Sequence, residues 1–203
     1  MSEPKSKNLT WHEGQVSRQE REKKLGQKGC TIWLTGLSGS GKSTLAVAAE
    51  KVLADRGHHT YILDGDNIRQ GLNSNLGFSP DDRTENIRRI GEVAKLFTDA
   101  GCVVFSSFIS PYRSDRDAVR EIMAEGDFVE VYVSASLEKC EERDVKGLYA
   151  KARKGEIPEF TGISAPYEEP KKAELIVDTG NQNLDQSVDV LIEYLEKKAY
   201  LSG

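Results

Sequence analysis

Short apolar runs recur along the chain from Cys30 onward and alternate with stretches in which apolar residues return at a helical spacing. Each run is too short for a helix and is rich in Ile, Val, Tyr or Phe, so it predicts a strand that is buried on both faces. The predicted strands are residues 30–35, 60–64, 102–108, 128–134 and 174–178. Because strands that alternate with helices are typical of βαβ units, the pattern predicts an α/β fold with a five-stranded parallel sheet between two helical layers.

Five stretches with the helical spacing supply the layers. They are residues 42–56, 79–100, 114–124, 136–144 and 184–198. The second begins with Ser79 and Pro80, where the serine can accept from free backbone N–H groups and the proline suits the first helical position. Gly57 and Gly101 follow two of these stretches, as glycine often does at helix ends. The helix boundaries therefore agree with the strand assignment.

The chain divides into a polar arm, residues 1–28, and one domain, residues 29–203. The arm has no apolar stripe of its own, so we expect it to be either disordered or packed on a partner. Residues 145–170 break the alternation because they are rich in lysine, glycine and proline, and this composition predicts a basic lid before the last strand.

The formal net charge of −5 argues against a general grip on nucleic acid or on an anionic membrane, since both depend on an excess of Lys and Arg. We therefore expect neither partner. Cys30, Cys102 and Cys140 are far apart and odd in number, which predicts reduced thiols rather than disulfides or a metal site. No run is long enough to cross a bilayer and the first residues lack an apolar signal, so we expect a cytoplasmic protein.

One local motif carries specific chemistry. Gly36, Leu37, Ser38, Gly39, Ser40, Gly41, Lys42 and Ser43 match G-x-x-x-x-G-K-[ST] between a predicted strand and a predicted helix. In this motif, backbone N–H groups and the helix N-terminus surround phosphate oxygens, the lysine contacts the β- and γ-phosphates, and the serine hydroxyl binds Mg²⁺. We group Thr44, the next helical residue, with these candidates for ATP binding. The motif and the alternation of strands and helices together predict a P-loop NTPase-type three-layer α/β/α domain.

A P-loop alone does not separate a kinase from a GTPase or a motor ATPase. The chain has no N-K-x-D element for reading guanine, and its length leaves little room for a motor's coupling apparatus. A kinase that acts on a small metabolite is therefore favoured.

Two carboxylates follow the second predicted strand at the sheet edge where α/β folds bind ligands. Asp64 can hold Mg²⁺ through water while Asp66 accepts the proton of an attacking hydroxyl, as phosphoryl transfer requires. The reverse assignment is also consistent with the pattern, and a turn or a helix cap is the ordinary alternative for either residue.

The next segment carries two arginines, an aromatic ring and an amide. Arg69, Phe78, Arg83 and Asn86 suit an acceptor that is both anionic and aromatic, and Arg83 and Asn86 share a helix face. Taken singly, Phe78 could pack in the core and Arg83 could lie in solvent.

Nine segments carry a family resemblance. They are residues 11–12 (WH), 31–33 (TIW), 36–43 (GLSGSGKS), 63–69 (LDGDNIR), 76–79 (LGFS), 83–89 (RTENIRR), 108–113 (FISPYR), 146–153 (KGLYAKAR) and 159–168 (EFTGISAPYE). The chain resembles the adenylylsulfate kinase family over nearly its whole length. The resemblance implies transfer of the ATP γ-phosphate to the 3′-hydroxyl of adenosine 5′-phosphosulfate (APS), with Mg²⁺ as cofactor and a homodimer as the assembly.

The resemblance also assigns roles. It implies that Phe160 and Phe78 sandwich the adenine of APS. The remaining residues implied to hold the substrate are Asp66, Arg69, Arg83, Asn86, Ile109, Ser110 and Lys146, and Arg143 joins the ATP site. The candidate catalytic residues are Asp66, Lys42 and Ser110. Ser110 has been regarded as a phosphoserine intermediate in this family, but no histidine stands near it in sequence to activate it, so we expect it to line the acceptor pocket through its backbone or its hydroxyl.

Two alternatives stay open from the residues alone. The first is another P-loop metabolite kinase, for a nucleoside monophosphate, gluconate or shikimate, and the set formed by Phe78, Arg83, Asn86 and Phe160 argues against it. The second is a catalytically silent nucleotide-binding module, and the presence of an intact Lys42 argues against it.

Overall fold

The sheet is the centre of the molecule. The computed structural model describes residues 8–10, 12 and 14–201. Its strands are β1 (Cys30–Thr35), β2 (Thr60–Asp64), β3 (Val103–Ser107), β4 (Phe128–Ser134) and β5 (Leu175–Asp178). All neighbours are parallel, in the order β2-β3-β1-β4-β5. The predicted parallel sheet is confirmed, and each strand lies within one residue of its predicted range.

Eight helices accompany the sheet in the described part of the chain. They are α1 (Arg18–Leu25), α2 (Lys42–Asp55), α3 (Gly65–Arg69), α4 (Pro80–Asp99), α5 (Arg113–Glu121), α6 (Leu137–Arg143), α7 (Leu148–Arg153) and α8 (Leu184–Lys197). The five predicted helices are present, although α5 ends three residues before its predicted end. The short helices α1, α3 and α7 were not predicted.

Alternate residues of β1 separate the two halves of the core. Ile32 packs with Leu45 of α2 and Leu191 of α8 in one apolar cluster. Trp33, which faces the opposite side of the sheet, packs with Ile90 of α4 in the other cluster. Because each face of the sheet is covered by its own pair of helices, the predicted three-layer α/β/α arrangement is confirmed.

The end of the predicted arm lies on its own domain. The Arg18 guanidinium donates to Asp127 Oδ1 at 2.8 Å. The Gln27 side-chain amide donates to His59 O and to Gly101 O, each at 2.8 Å. The expectation that the arm is either disordered or on a partner is therefore wrong for residues 18–28. Residues 1–7, 11 and 13 of the arm lie outside the described residues, as do residues 202–203 at the other terminus.

The predicted lid has a small core of its own. Tyr149 and Phe160 are buried with Cys140 in a third apolar cluster, against which Leu37 of the phosphate loop packs. The lid is therefore built around α7 and is in contact with the nucleotide loop.

Two properties of the remaining chain bear on function. In the described ranges, no helix combines the length and the apolar character needed to cross a membrane. The three cysteines, Cys30, Cys102 and Cys140, are buried and free, as the sequence predicted.

Candidate active site

The predicted phosphate-binding residues 36–43 form the loop between β1 and α2 and the first two residues of α2. A Cβ atom at Gly36 would lie 2.5 Å from Val133 O, so only glycine allows this close approach of the loop to β4. Gly39 has a φ of +76°, a left-handed conformation that glycine adopts without strain. The loop therefore brings its backbone to the N-terminus of α2, where an anion is favoured.

Lys42 lies inside this loop. Its side chain is largely buried, and Nζ donates to Gly36 O at 2.9 Å and to Leu37 O at 2.7 Å. Burial lowers the pKa of Lys42 to about 8, since removal from water disfavours the ammonium form. A phosphate at the loop would reverse this effect, because its negative charge favours the ammonium.

Ser43 and Asp64 meet at the edge of the sheet. Ser43 Oγ donates to Asp64 Oδ2 at 2.7 Å, and the Ser107 hydroxyl lies 3.2 Å from Ser43 Oγ. These are hard oxygen ligands of the kind that Mg²⁺ binds, so the site fits the metal. The residues described contain no group of three or more His, Cys, Asp or Glu side chains that could hold a metal. Magnesium here would thus take its remaining ligands from phosphates and water, as is common in kinases.

Asp64 and Asp66 have different surroundings. Asp64 Oδ1 accepts from the Asp66 backbone N–H at 3.0 Å and so caps α3, while its other oxygen faces Ser43. Asp66 lies in the first turn of α3, is exposed, and pairs with Lys146 from the loop that precedes α7. The structure therefore puts Asp64 beside the metal-side serine and Asp66 toward the lid, in keeping with the first of the two sequence assignments.

Arg69 and Phe78 form one surface on the acceptor side. The Arg69 guanidinium lies 4.4 Å from the centre of the Phe78 ring and donates to Gly77 O at 2.9 Å. Burial and the nearby charge of Arg83 lower the pKa of Arg69. Phe78 is 63% exposed, so its ring is available to a flat ligand.

Arg83 connects this surface to the lid. It donates to Phe78 O at 2.8 Å, to Thr161 Oγ1 at 2.6 Å and to Glu159 O at 2.6 Å. The last two residues flank Phe160 in sequence. One guanidinium therefore links the loop of Phe78 with the lid segment of Phe160.

Phe160 and Asn86, two predicted substrate-binding residues, are both largely buried in this structure. The Phe160 ring is 9% exposed and packs edge-on against Tyr149, with ring centres 5.0 Å apart. Asn86 is buried on α4, and its Oδ1 accepts from Asn73 Nδ2 at 3.0 Å. Phe78 therefore has an exposed ring, whereas Phe160 is largely enclosed in the core of the lid.

Ser110 is turned into the protein. Its hydroxyl oxygen accepts from Trp33 Nε1 at 3.1 Å, and the residue is 2% exposed. The sequence left open whether Ser110 lines the acceptor pocket through its backbone or its hydroxyl; in this structure the hydroxyl is bonded to Trp33 and the carbonyl to Arg116. The preceding residue, Ile109, is half-buried, and its carbonyl accepts from Thr35 Oγ1 at 2.8 Å.

Arg143 lies beside the phosphate loop, as the resemblance implies. It donates to Gly39 O at 3.2 Å and also to Thr179 O in the loop after β5. Thr179 in turn donates to Ser40 O at 2.6 Å, so it ties the last strand to the P-loop. Thr44 is exposed in the first turn of α2.

Sequence reasoning did not single out Thr179, Tyr149 or Arg116. The Tyr149 hydroxyl donates to Ser38 O at 2.8 Å, and Arg116 donates to Ser110 O at 2.6 Å. Tyr149 lies within one of the segments of the resemblance, and Thr179 follows a predicted strand at its carboxyl end, so both carried a signal. Arg116 reads as an ordinary helix residue, and no local pattern marks it.

Comparison with known proteins agrees with this geometry. The family model for adenylylsulphate kinase matches residues 28–178. An adenylyl-sulfate kinase from Staphylococcus carnosus is 60% identical over 192 residues, covering 95% of this chain and 96% of the relative. An adenylyl-sulfate kinase from Acaryochloris marina is 58% identical over 194 residues, covering 96% and 95%.

Solved structures show the same relationship. The APS kinase of Mycobacterium tuberculosis, in complex with AMPPNP and APS, superposes with a TM-score of 0.81 at 47% identity, over 84% of this chain and 99% of that one. A gluconokinase from Sinorhizobium meliloti, with a TM-score of 0.56 at 22% identity over 85% and 95% of the two chains, shares the fold alone. The chain belongs to the adenylylsulfate kinase family.

Proposed function

We propose that this chain is an adenylyl-sulfate kinase, which transfers the γ-phosphate of ATP to the 3′-hydroxyl of APS and yields ADP and 3′-phosphoadenosine 5′-phosphosulfate. The observation that carries the proposal is a continuous set of contacts at one sheet edge. It runs from Ser43 through Asp64 and α3 to Arg69, and from there through Phe78 to Arg83 and the lid. A nucleotide loop and an anion-binding aromatic surface are thereby joined in one site.

The donor side binds ATP through the P-loop. Backbone N–H groups of residues 36–43 hold the phosphates, and Lys42 turns its ammonium from loop carbonyls to the β- and γ-phosphate oxygens. Arg143 lies against Gly39 and Thr179 and supplies a second cation beside the nucleotide. Both cations offset the charge of the triphosphate.

Ser43 and Asp64 are the residues that would hold Mg²⁺, with Ser43 as a direct ligand and Asp64 acting through water. When bound, the metal neutralises charge on the β- and γ-phosphates. Asp64 also caps α3, so the residue that serves the metal fixes the helix that carries Asp66.

Asp66 accepts the proton of the acceptor hydroxyl. It is exposed at the start of α3, and the Lys146 ammonium lies directly against it. Because Lys146 lies against Asp66, its positive charge is close to the phosphoryl group that is transferred, while Asp66 orients the nucleophile. Positioning and charge neutralisation of this kind account for most of the catalysis of phosphoryl transfer.

The acceptor side binds APS through charge and stacking. Arg69 and Arg83 supply positive charge, and Phe78 supplies an open ring that can stack on adenine. Asn86 stands behind this surface and, through Asn73, fixes the start of α4 against the loop after α3. Outward movement of Phe160 completes the sandwich when the lid segment closes on the base.

We extend the proposal to a cytoplasmic homodimer in sulfate activation. The family resemblance supports the dimer, and an APS kinase from Thiobacillus denitrificans, 36% identical with a TM-score of 0.65 over 89% of this chain and 30% of that one, is hexameric. The supply of ATP and the three free, buried thiols support the cytoplasm. Light scattering on the purified chain tests the dimer.

A coupled assay of ADP release tests the activity. The chain is given Mg·ATP with APS and, in parallel, with AMP, gluconate or shikimate. We expect ADP with APS alone and a product phosphorylated at the 3′ position. ADP with another acceptor would overturn the choice of substrate, and no ADP with any acceptor would overturn the kinase activity itself.

A further inference from the structure

The loop that follows β3 contains a residue in an unfavourable backbone conformation. Ser110 has a backbone φ of +40°, a value that residues other than glycine and asparagine rarely adopt. Such a conformation persists only where the surroundings hold it in place, and it is common at ligand sites. The contacts that hold Ser110 therefore decide the shape of the loop on the acceptor side.

Arg116 of α5 supplies the strongest of these contacts. Its side chain is 2% exposed and uses all three nitrogens: Nε donates to Glu130 Oε1, and the two terminal nitrogens donate to Ser110 O and Glu168 O. The three distances are 2.6, 2.6 and 2.7 Å. Because a guanidinium is flat and its N–H directions are fixed, these bonds define where the two carbonyl groups lie relative to β4.

The side chain of Ser110 is held from the other direction. Trp33 of β1 donates its indole N–H to Ser110 Oγ at 3.1 Å and stacks on Phe108, with ring centres 6.0 Å apart. Thr35, the last residue of β1, donates to Ile109 O at 2.8 Å. The loop is thereby clamped between the central strand and α5.

Glu168 extends the same contacts to the end of the lid. Its backbone N–H donates to Pro111 O at 2.9 Å, and its carboxylate accepts from the Arg113 backbone N–H at 2.9 Å. Arg116 thus joins two segments that meet at the acceptor site, the loop after β3 and the C-terminal end of the lid. Neither segment is a strand or a helix at this point. Side-chain donors therefore bond the carbonyl groups that would otherwise be paired in a sheet or a helix.

We propose that Arg116, oriented by Glu130, is a positioning residue that fixes the loop of Ile109 and Ser110 in the shape that receives the acceptor nucleotide. The inference rests on the proposed function and adds a residue that acts through the loop. Arg116 touches neither substrate. Its loss displaces the acceptor side of the site and leaves the P-loop, which is anchored by β1 and α2, in place.

The test compares three conservative variants. Arg116→Lys keeps the charge beside Glu130, but a single ammonium nitrogen cannot reach the three partners in the fixed directions of a guanidinium. Glu130→Gln keeps an acceptor for Arg116 Nε and removes only the charge. Arg56→Lys is the control, because Arg56 at the end of α2 pairs with Glu196 at 2.6 Å and, within the described residues, makes no hydrogen bond or ion pair with Glu130, Ser110 or Trp33.

Steady-state kinetics give the first measurement. We expect Arg116→Lys to raise the KM for APS about tenfold, since loss of alignment is costly in such sites. The KM for ATP should stay within about twofold of the wild-type value in the same variant. Glu130→Gln should change the KM for APS in the same direction by less, and Arg56→Lys should leave both constants unchanged.

Fluorescence gives a measurement that needs no substrate. In a Trp11→Phe background, Trp33 is the only indole of the chain. Trp33 is fully buried and bonded to Ser110, so displacement of the loop in Arg116→Lys should red-shift its emission and increase its quenching by acrylamide. Arg56→Lys should show neither change.

The outcomes separate the two proposals. If the wild type does not phosphorylate APS, the proposed function fails, while the fluorescence still reports whether Arg116 holds the loop. If Arg116→Lys does not fold by circular dichroism, Glu130→Gln decides. Equal increases in both KM values, or a KM for APS and a Trp33 spectrum that match the wild type in the folded variants, would overturn the role of Arg116.

Discussion

Replacement of Tyr149 by phenylalanine tests one hydrogen bond between the lid and the phosphate loop. The hydroxyl donates to Ser38 O at 2.8 Å, whereas the ring is buried against Phe160 and stays in the variant. Burial raises the pKa of the Tyr149 phenol, so the donor is intact across ordinary assay pH. Tyr149→Phe therefore removes one hydrogen bond and little packing.

The size of the effect follows from the surroundings of the acceptor. Ser38 is only half-buried, so water can reach its carbonyl in the variant and the loss should be about 1 kcal/mol. For a domain of this size, that lowers Tm by about 2–4 °C. If the bond acts fully in the transition state, the same free energy lowers kcat/KM by about fivefold, and this is its upper bound.

Tyr200→Phe is the control for Tyr149→Phe. The Tyr200 hydroxyl donates to Gly126 O at 2.6 Å, a bond of the same type that contacts no residue of the site. Thermal melts should show similar losses for both variants, and the ADP-release assay should show a loss of kcat/KM for Tyr149→Phe alone. Equal kcat/KM values in the two variants, or a loss of about a hundredfold in Tyr149→Phe, would refute the account of the lid tie.

Three further variants or conditions test the roles within the site. Asp66→Ala should lower kcat by about 10²-fold or more while ATP binding, measured by calorimetry, survives, because Asp66 serves the acceptor hydroxyl; retained turnover would remove it from the mechanism. Ser110→Ala should raise the KM for APS, because the loop loses its bond to Trp33, but should keep its turnover at saturating APS; abolished turnover at saturating APS would favour a covalent role. With a pKa of about 8 for Lys42, ATP affinity should fall as the pH rises above that value, because the neutral amine binds phosphate less well and binding must take up a proton. Calorimetry in two buffers of different ionisation enthalpy measures that proton uptake, and its absence at pH 9 would contradict the role of the buried charge.

The sheet could be predicted closely because each strand is short, apolar and bounded by turns. The expected burial on both faces is wrong for the edge strands β2 and β5, which leave Tyr61 and Ile176 exposed. The helices that were missed lack that signal. α1 is polar on every side, and it is stabilised by a capping box between Ser17 and Glu20 and by the ion pair of Arg18 with Asp127. The capping box is a local pattern that sequence reading could have found, whereas the ion pair spans more than one hundred residues and could not be seen.

The candidate site, like the fold, contains some features that a local sequence pattern marks and others that depend on contacts between distant residues. The P-loop is one continuous motif, so its residues could be found from their spacing, whereas its partners Tyr149 and Thr179 lie far away in the sequence and were not singled out. The direction of Ser110 could not be predicted either, because it depends on Trp33, which lies 77 residues away in the sequence and beside it in the sheet. Phe160, to which the resemblance assigns one side of the adenine sandwich, is largely buried in this structure, because α7 and Tyr149 give the lid an apolar core that its basic composition does not indicate.

Tyr149 and Arg116 solve one physical problem at the two halves of the site. Loops that bind phosphate or a nucleoside must present their backbone in fixed positions, yet their carbonyls have no partner in a sheet or a helix. Each of these two side chains is packed into a rigid element and donates to such a carbonyl, Ser38 on the donor side and Ser110 on the acceptor side. A buried ion pair such as Arg116–Glu130 is a poor source of stability because desolvation offsets its attraction. Its location is better explained by geometry, since an apolar replacement could fill the space but could not hold two carbonyls 58 residues apart at a defined distance from β4.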